Sequence, residues 1–188
     1  MCRAAHVALM ARYNTWMNTR LYAAADGLPA AELARDRGAF FGSLLGTLNH
    51  LAVADTIWLK RFAADPDAHA ALEPVRALPM PEALDAVPFP EFARLSERRR
   101  MLDAVIERWT ASLDEADLVR PLHYRNARGQ AFERETFGLL MHLFNHQTHH
   151  RGQATTLLSQ AGIDMGVTDL LALLPDLGAP ADTGVHPH

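Results

Sequence analysis

Apolar residues recur at helical spacing in four long stretches of the chain, and Pro and Gly interrupt the pattern between them. The first stretch runs from about Ala4 to Ala25, and Gly27 and Pro29 stop it. The second begins after Ser43, an N-cap residue, and continues to about Ala64, just before Pro66. The third starts at Pro90 or Glu91 and reaches about Leu113. The fourth opens near Glu135 or Thr136 and closes at Gly162, a glycine placed to end the helix in the left-handed conformation.

The connections are uneven. Residues 27–42 hold one short helical turn, "PAAELAR". Residues 65–89 carry Pro66, Pro74, Pro79, Pro81 and Pro88, which predicts an extended crossing rather than an element. Alternation around "NARG" within residues 114–134 predicts a small hairpin. After Gly162 there is one apolar stretch, "DLLALL". Residues 1–178 therefore read as a single domain, and 179–188 as a flexible tail. Four helices of this length predict an all-α fold, a four-helix bundle. The long link between the second and third helices permits those two to run parallel, as in bundles with a crossover.

Composition narrows the function without naming it. Net charge is −4, and Lys60 is the only lysine. A mildly acidic chain without a long basic run argues against nucleic acid as the partner. The best basic patch, "ERRR" at Glu97–Arg100, reads as one solvated helix turn. Cys2 is the only cysteine, so no intrachain disulfide forms and a reducing, cytoplasmic setting is expected. No apolar run has the length of a membrane span.

The chemistry is concentrated in "HLFNHQTHHRGQ", where four of the ten histidines fall within nine residues. Helix phase separates them. With Leu143 set at zero and a turn of about 100° per residue, His146 lies near about −60° and His150 near about −20°. Both sit in the apolar stripe with Leu139, Ala154 and Leu157. His142 and His149 fall at its edge, at about −100° and −120°. His146 and His150 are one turn apart on one face, a spacing that lets two imidazoles share an ion. The competing reading is two core histidines, each with its own polar partner. A third ligand has to come from another helix. His50, in "GTLNHLAVADTIW", is the best candidate, because the remaining histidines lie at chain ends or in links.

Neighbouring residues admit two readings each. Asp55 falls in the leucine stripe of the second helix, either behind a ligand or in a buried hydrogen bond elsewhere. Gln153 either orients a ligand or faces solvent. Arg151 either meets an anionic substrate or pairs with a carboxylate on a neighbouring helix. Gly152 costs about 1 kcal/mol in mid-helix relative to Ala, which close approach of another helix would explain. Tyr13 and Trp16 follow helical spacing and read as core.

Taken together, "YNTWMNTRLYAA", "GAFFGSLLGTLNHLAVADTIWLKRF" and "HLFNHQTHHRGQATTLLSQAG" resemble the DinB family of DinB/YfiT-like proteins. The resemblance implies a bundle in up-down-down-up order and a divalent metal ion, zinc or nickel. It implies that three histidines hold the ion, and these map onto His50, His146 and His150 here. Homodimers are common in that family, and some relatives transfer a low-molecular-weight thiol to a small-molecule substrate. The resemblance thus implies a metal-dependent thiol transferase or hydrolase. A non-enzymatic metal-binding stress-response dimer is the alternative.

Overall fold

The computed structural model describes residues 1–65 and 67–176. The proposed flexible tail, 179–188, lies outside the described residues, as does Pro66. Among the described residues the chain is mostly helical, with one small sheet. Four long helices carry the mass: α1 (Arg3–Asp26), α3 (Leu44–Ala63), α5 (Phe92–Ala111) and α7 (Thr136–Gln160). Three short helices lie in the links: α2 (Ala30–Leu33), α4 (Glu73–Arg76) and α6 (Glu115–Val119). An antiparallel hairpin pairs β1 (Pro121–Arg125) with β2 (Ala131–Glu135), so the expectation of an all-α chain holds only in part.

Local chemistry sets the boundaries. Ser43 caps α3, its hydroxyl accepting from the Gly46 amide at 3.0 Å. Asp114 and Asp117 form a reciprocal capping box on α6. Gly162 follows α7 with φ of 79°, the left-handed conformation glycine adopts without strain. The crossing at 65–89 is less extended than its prolines suggested. Ala70–Leu72 forms a 3₁₀ turn that runs into α4, with Pro74 at the start of α4, where a missing N–H costs nothing. The apolar "DLLALL" stretch forms a 3₁₀ turn at Leu170–Leu173 that leaves Leu171 exposed.

Side-chain contacts give the helix directions. Tyr22 near the end of α1 stacks on Phe92 at the start of α5, with 5.6 Å between centroids, while the Ala4 amide donates to Glu115 beyond the other end of α5. These two helices are antiparallel. Arg3 pairs with Glu135 at the start of α7, and Arg20 reaches the Met165 carbonyl past its end, so α1 and α7 are parallel. Asp55 and Phe62 on α3 meet Arg99 and Trp109 on α5 in the same order, which makes that pair parallel. Trp58 lies against His142 and His50 against His146, which makes α3 and α7 antiparallel.

Leucines fill the space between the helices: Leu21, Leu48, Leu51, Leu59, Leu102, Leu140 and Leu158 are fully buried. A charged network is buried with them. Arg99 lies 2.7 Å from Asp55 and 2.9 Å from Asp103. Asp103 accepts from Asn14 at 3.1 Å and from Asn18 at 2.9 Å. Gln147 donates to Asp55, and Arg151 donates to Asn14. Arg151 also reaches the Gln147 amide oxygen at 3.4 Å. Burial raises the Asp103 carboxyl to about 6 against the opposing pull of Arg99. Burial also lowers Arg151 to about 10.

Three sequence readings are corrected by these contacts. Arg99 is 2% exposed, so "ERRR" is not simply a solvated turn. Arg151 is buried and hydrogen-bonds Asn14, and among the described residues it makes no direct ion pair with a carboxylate. Gly152 has nothing within 4 Å of where a Cβ would stand, so no helix approaches it.

Replacing Arg99 with Leu leaves two buried carboxylates without a cation and should cost about 3–5 kcal/mol in chemical denaturation. A loss below about 1 kcal/mol would show that the ion pairs do not hold the helices together. Gly152→Ala should raise stability by about 1 kcal/mol in the same assay, since the added methyl meets no neighbour.

Candidate metal centre

The antiparallel packing of α3 against α7 brings His50, His146 and His150 together. One ring nitrogen from each lies within 4.8 Å of the others. His50 is buried, His150 is 9% exposed and His146 is half-buried. The Nε2 atoms of His50 and His146 are 3.2 Å apart. The centroids of His146 and His150, and of His50 and His150, are each separated by 4.4 Å.

Outer hydrogen bonds assign the tautomers. His50 Nδ1 lies 2.8 Å from the Leu84 carbonyl, and His150 Nδ1 lies 2.7 Å from Gln153 Oε1. Both oxygens only accept, so each Nδ1 carries the proton and each Nε2 presents a lone pair. Fixing the distal nitrogen in this way is how proteins aim imidazole ligands at an ion. Two bare lone pairs at 3.2 Å repel, so a proton or a cation has to lie between His50 and His146. Two nitrogens bound to one tetrahedral ion at 2.0–2.1 Å are separated by roughly 3.3 Å. The donor set therefore fits a divalent ion.

The electrostatics agree. Burial holds His50 and His150 below the ordinary imidazole range and, reinforced by the neighbouring histidines, pushes His146 down to about 3. The three rings are neutral at pH 7, the protonation state a ligand needs.

Sequence reasoning missed some of the surroundings. Phe41 stacks on His50 at 3.8 Å between centroids and meets His150 edge-on at 5.5 Å. It sits in the loop "RGAFFGS", which Gly38 and Gly42 turn with φ of 69° and 71°. Asn49, beside His50, clamps the crossing by accepting from the Phe89 amide and donating to the Phe89 carbonyl, both at 3.0 Å. That clamp helps hold Leu84 against His50. Gln153 orients His150 and leans its amide nitrogen toward His149 at 3.4 Å. His142 and His149 are exposed, packed against Trp58 and His150 respectively. Asp55 is not behind a ligand; it belongs to the Arg99 network. Tyr13 is buried and donates to the Thr168 carbonyl at 2.6 Å, whereas Trp16 is only partly buried.

The sequence model of the DinB family matches residues 1–176. The chain belongs to the DinB family. It is 29% identical over 163 residues to "Protein DinB" of Bacillus subtilis (strain 168), which covers 84% of this chain and 87% of that protein. No solved structure matches it significantly. Among the described residues no helix of this DinB-family chain is long and apolar enough to cross a membrane.

The depressed histidines predict an acid-sensitive fold in the metal-free protein. Above about pH 6.5 they are neutral in both folded and unfolded chains and contribute no pH dependence. As pH falls below that value the unfolded chain takes up protons first, and stability is lost. The histidines should therefore lower the Tm of the metal-free protein from about pH 6.5 to pH 5, a loss partly offset by Asp103, whose raised carboxyl is protonated first in the folded chain, and His146→Asn should blunt the histidine part. An unchanged profile in that variant would place the acid sensitivity elsewhere.

Proposed function

We propose that this DinB-family protein is a four-helix bundle in up-down-down-up order that holds a divalent metal ion, zinc or nickel, on His50, His146 and His150. We propose further that it uses the ion as a metal-dependent enzyme, a low-molecular-weight thiol transferase or hydrolase. The observation that carries the reading is the set of three neutral imidazoles on facing helices, two of them with Nδ1 held by acceptor-only oxygens. The four helix pairings support the bundle order.

Three neutral ligands leave coordination positions free for a substrate, the mark of catalytic rather than purely structural sites. A bound divalent ion supplies Lewis acidity that turns water or a thiol into a nucleophile near neutral pH. The chain's own residues prepare the place for it. Leu84 and Gln153 keep the Nδ1 protons outward, Phe41 shields one side of the His50 ring from water, and Asp55 is held away in its ion pair with Arg99. A cytoplasmic homodimer acting on a small molecule, with no role for nucleic acid or a membrane, completes the reading.

A second reading, a metal-binding stress-response dimer without turnover, is favoured by one observation. Among the described residues, the groups that stack on or hydrogen-bond the three rings from outside are Phe41, His142, His149, Gln153 and the Leu84 carbonyl, and none of these is an acid. Protein purified without added metal should contain about one divalent ion per chain by elemental analysis. His50→Ala, His146→Ala and His150→Ala should each deplete it, while His142→Ala and His149→Ala should retain it. Undiminished metal in His146→Ala would refute the site. Thiol-transfer or hydrolytic activity that is lost on chelation and restored by metal selects the enzyme over the binder.

A further inference from the structure

A cleft of about 950 Å³ lies along α3 on the C-terminal side of the histidine site and does not include it. Its floor is the second half of α3, through Ile57, Lys60 and Arg61, and its walls are the hairpin and the crossing at Met80–Glu82. None of the three histidines lines it. It lies on the same face of α3 as His50. Ile57 stands seven residues from His50 and Arg61 eleven, and at about 100° per residue both lie within about 20° of the His50 direction on the helix. The Arg61 backbone is about 16 Å along the axis from that of His50. Helical side chains lean toward the N-terminus, so the Arg61 side chain leans back toward the histidines. The crossing that walls the cleft with Met80 and Glu82 also supplies the Leu84 carbonyl to His50.

Three cations line the cleft, and two are already engaged. Lys60 donates to the Arg76 carbonyl at 2.9 Å and the Leu78 carbonyl at 2.5 Å, and Arg125 donates to the Gly129 carbonyl at 2.6 Å. Arg61 differs. Its guanidinium lies 4.6 Å from the Trp58 ring centroid and 5.1 Å from that of Tyr124. No hydrogen bond or ion pair reaches it among the described residues. Burial lowers its pKa, a sign that it has given up water without gaining an anion. The two rings restrict where its guanidinium can sit, and a guanidinium matches a carboxylate through two parallel N–H bonds. Glu82 and Glu133 also line the cleft; Glu133 lies 3.9 Å from His123.

We infer that this cleft is the substrate's second anchor: Arg61, packed against Trp58 and Tyr124, takes the carboxylate end of an elongated substrate whose other end reaches the ion on His50, His146 and His150. The inference rests on the metal reading. It identifies the substrate class as long, carboxylate-ended small molecules. The structural alternative is that Arg61 only clips the hairpin to α3 through its two rings. A clip would affect stability but would not discriminate between ligand ends.

The test uses the full chain loaded with cobalt(II), whose thiolate charge-transfer band reports ligation directly. Mercaptooctanoate and mercaptooctanol have the same length and differ in the far end; mercaptopropionate and mercaptopropanol are too short to reach Arg61. The long acid should bind about tenfold more tightly than the long alcohol. Arg61→Gln should abolish that preference, Arg61→Lys should keep part of it, and the short pair should show none. Arg61→Glu should reverse it toward an amine-ended thiol of the same length, an outcome that a loosened hairpin does not produce. Equal affinity of the long acid and alcohol in the unmodified protein, or a preference that survives Arg61→Gln, overturns the inference while the band itself upholds the metal reading. Absence of the thiolate band with every thiol overturns the inference, and absence of the d–d bands of bound cobalt(II) before any thiol is added overturns the metal reading with it.

Discussion

The histidine site depends on the buried charge network beneath it. Asn14 and Asn18 come from α1, Asp55 from α3, Arg99 and Asp103 from α5, and Gln147 and Arg151 from α7. All four long helices contribute to one connected set. Leucine packing tolerates a slide of one helix along another, because apolar contacts have little direction. An ion pair at 2.7 Å between groups 2% exposed does not tolerate it, because a buried charge without its partner costs several kcal/mol. Asp55 is five residues from His50, and Gln147 and Arg151 each follow a site histidine by one. The hydrogen bond between Gln147 and Asp55 therefore fixes the register of α7 on α3 and, with it, the 3.2 Å separation of His50 and His146.

The network also keeps its charge to itself. Two carboxylates and two guanidiniums sum to zero, so little net field reaches the histidines. His50 senses Asp55, yet burial outweighs it and the ring stays neutral. A divalent ion held by three neutral rings would keep its full charge, with no anion among its three ligands. Such a centre favours anionic ligands, and Arg61 in the cleft extends the same preference along α3.

Much of the architecture was legible because it follows from periodicity. The four long helices fall within a few residues of the boundaries set by Ser43, Gly27 and Gly162, and the hairpin falls where alternation and "NARG" placed it. The three histidines were legible as a group because the i, i+4 pair points inward and few other histidines lie on a helix. What escaped depends on packing between distant segments. Arg99 looked solvated because "ERRR" is charged all round. Only the docking of α5 against α3 and α1 shows that one of its three arginines meets Asp55 and Asp103. Asp55 in a leucine stripe was the visible half of that pair. Phe41 was hidden because its stacking on His50 depends on a glycine-turned loop, and loop geometry has no period to read. Gly152 invited an explanation by close packing, and the structure offers none.

The α7 segment from His146 to Gln153 shows why a single helix can serve both ends of this design. Steps of about 100° divide it into faces with different neighbours. His146 and His150 face α3 and the candidate ion. Gln147 and Arg151, one step on, face the buried charges and set the register. Gln153, on the outer edge, accepts the His150 Nδ1 proton and leans its amide nitrogen toward His149. Gly152 faces open space. Deleting one residue ahead of His146 would turn every later group by about 100°, bringing Gln147 and Arg151 to the positions of His146 and His150 and sending the imidazoles to the exposed edge. The site and the network are thus one constraint: neither face of α7 can shift without displacing the other.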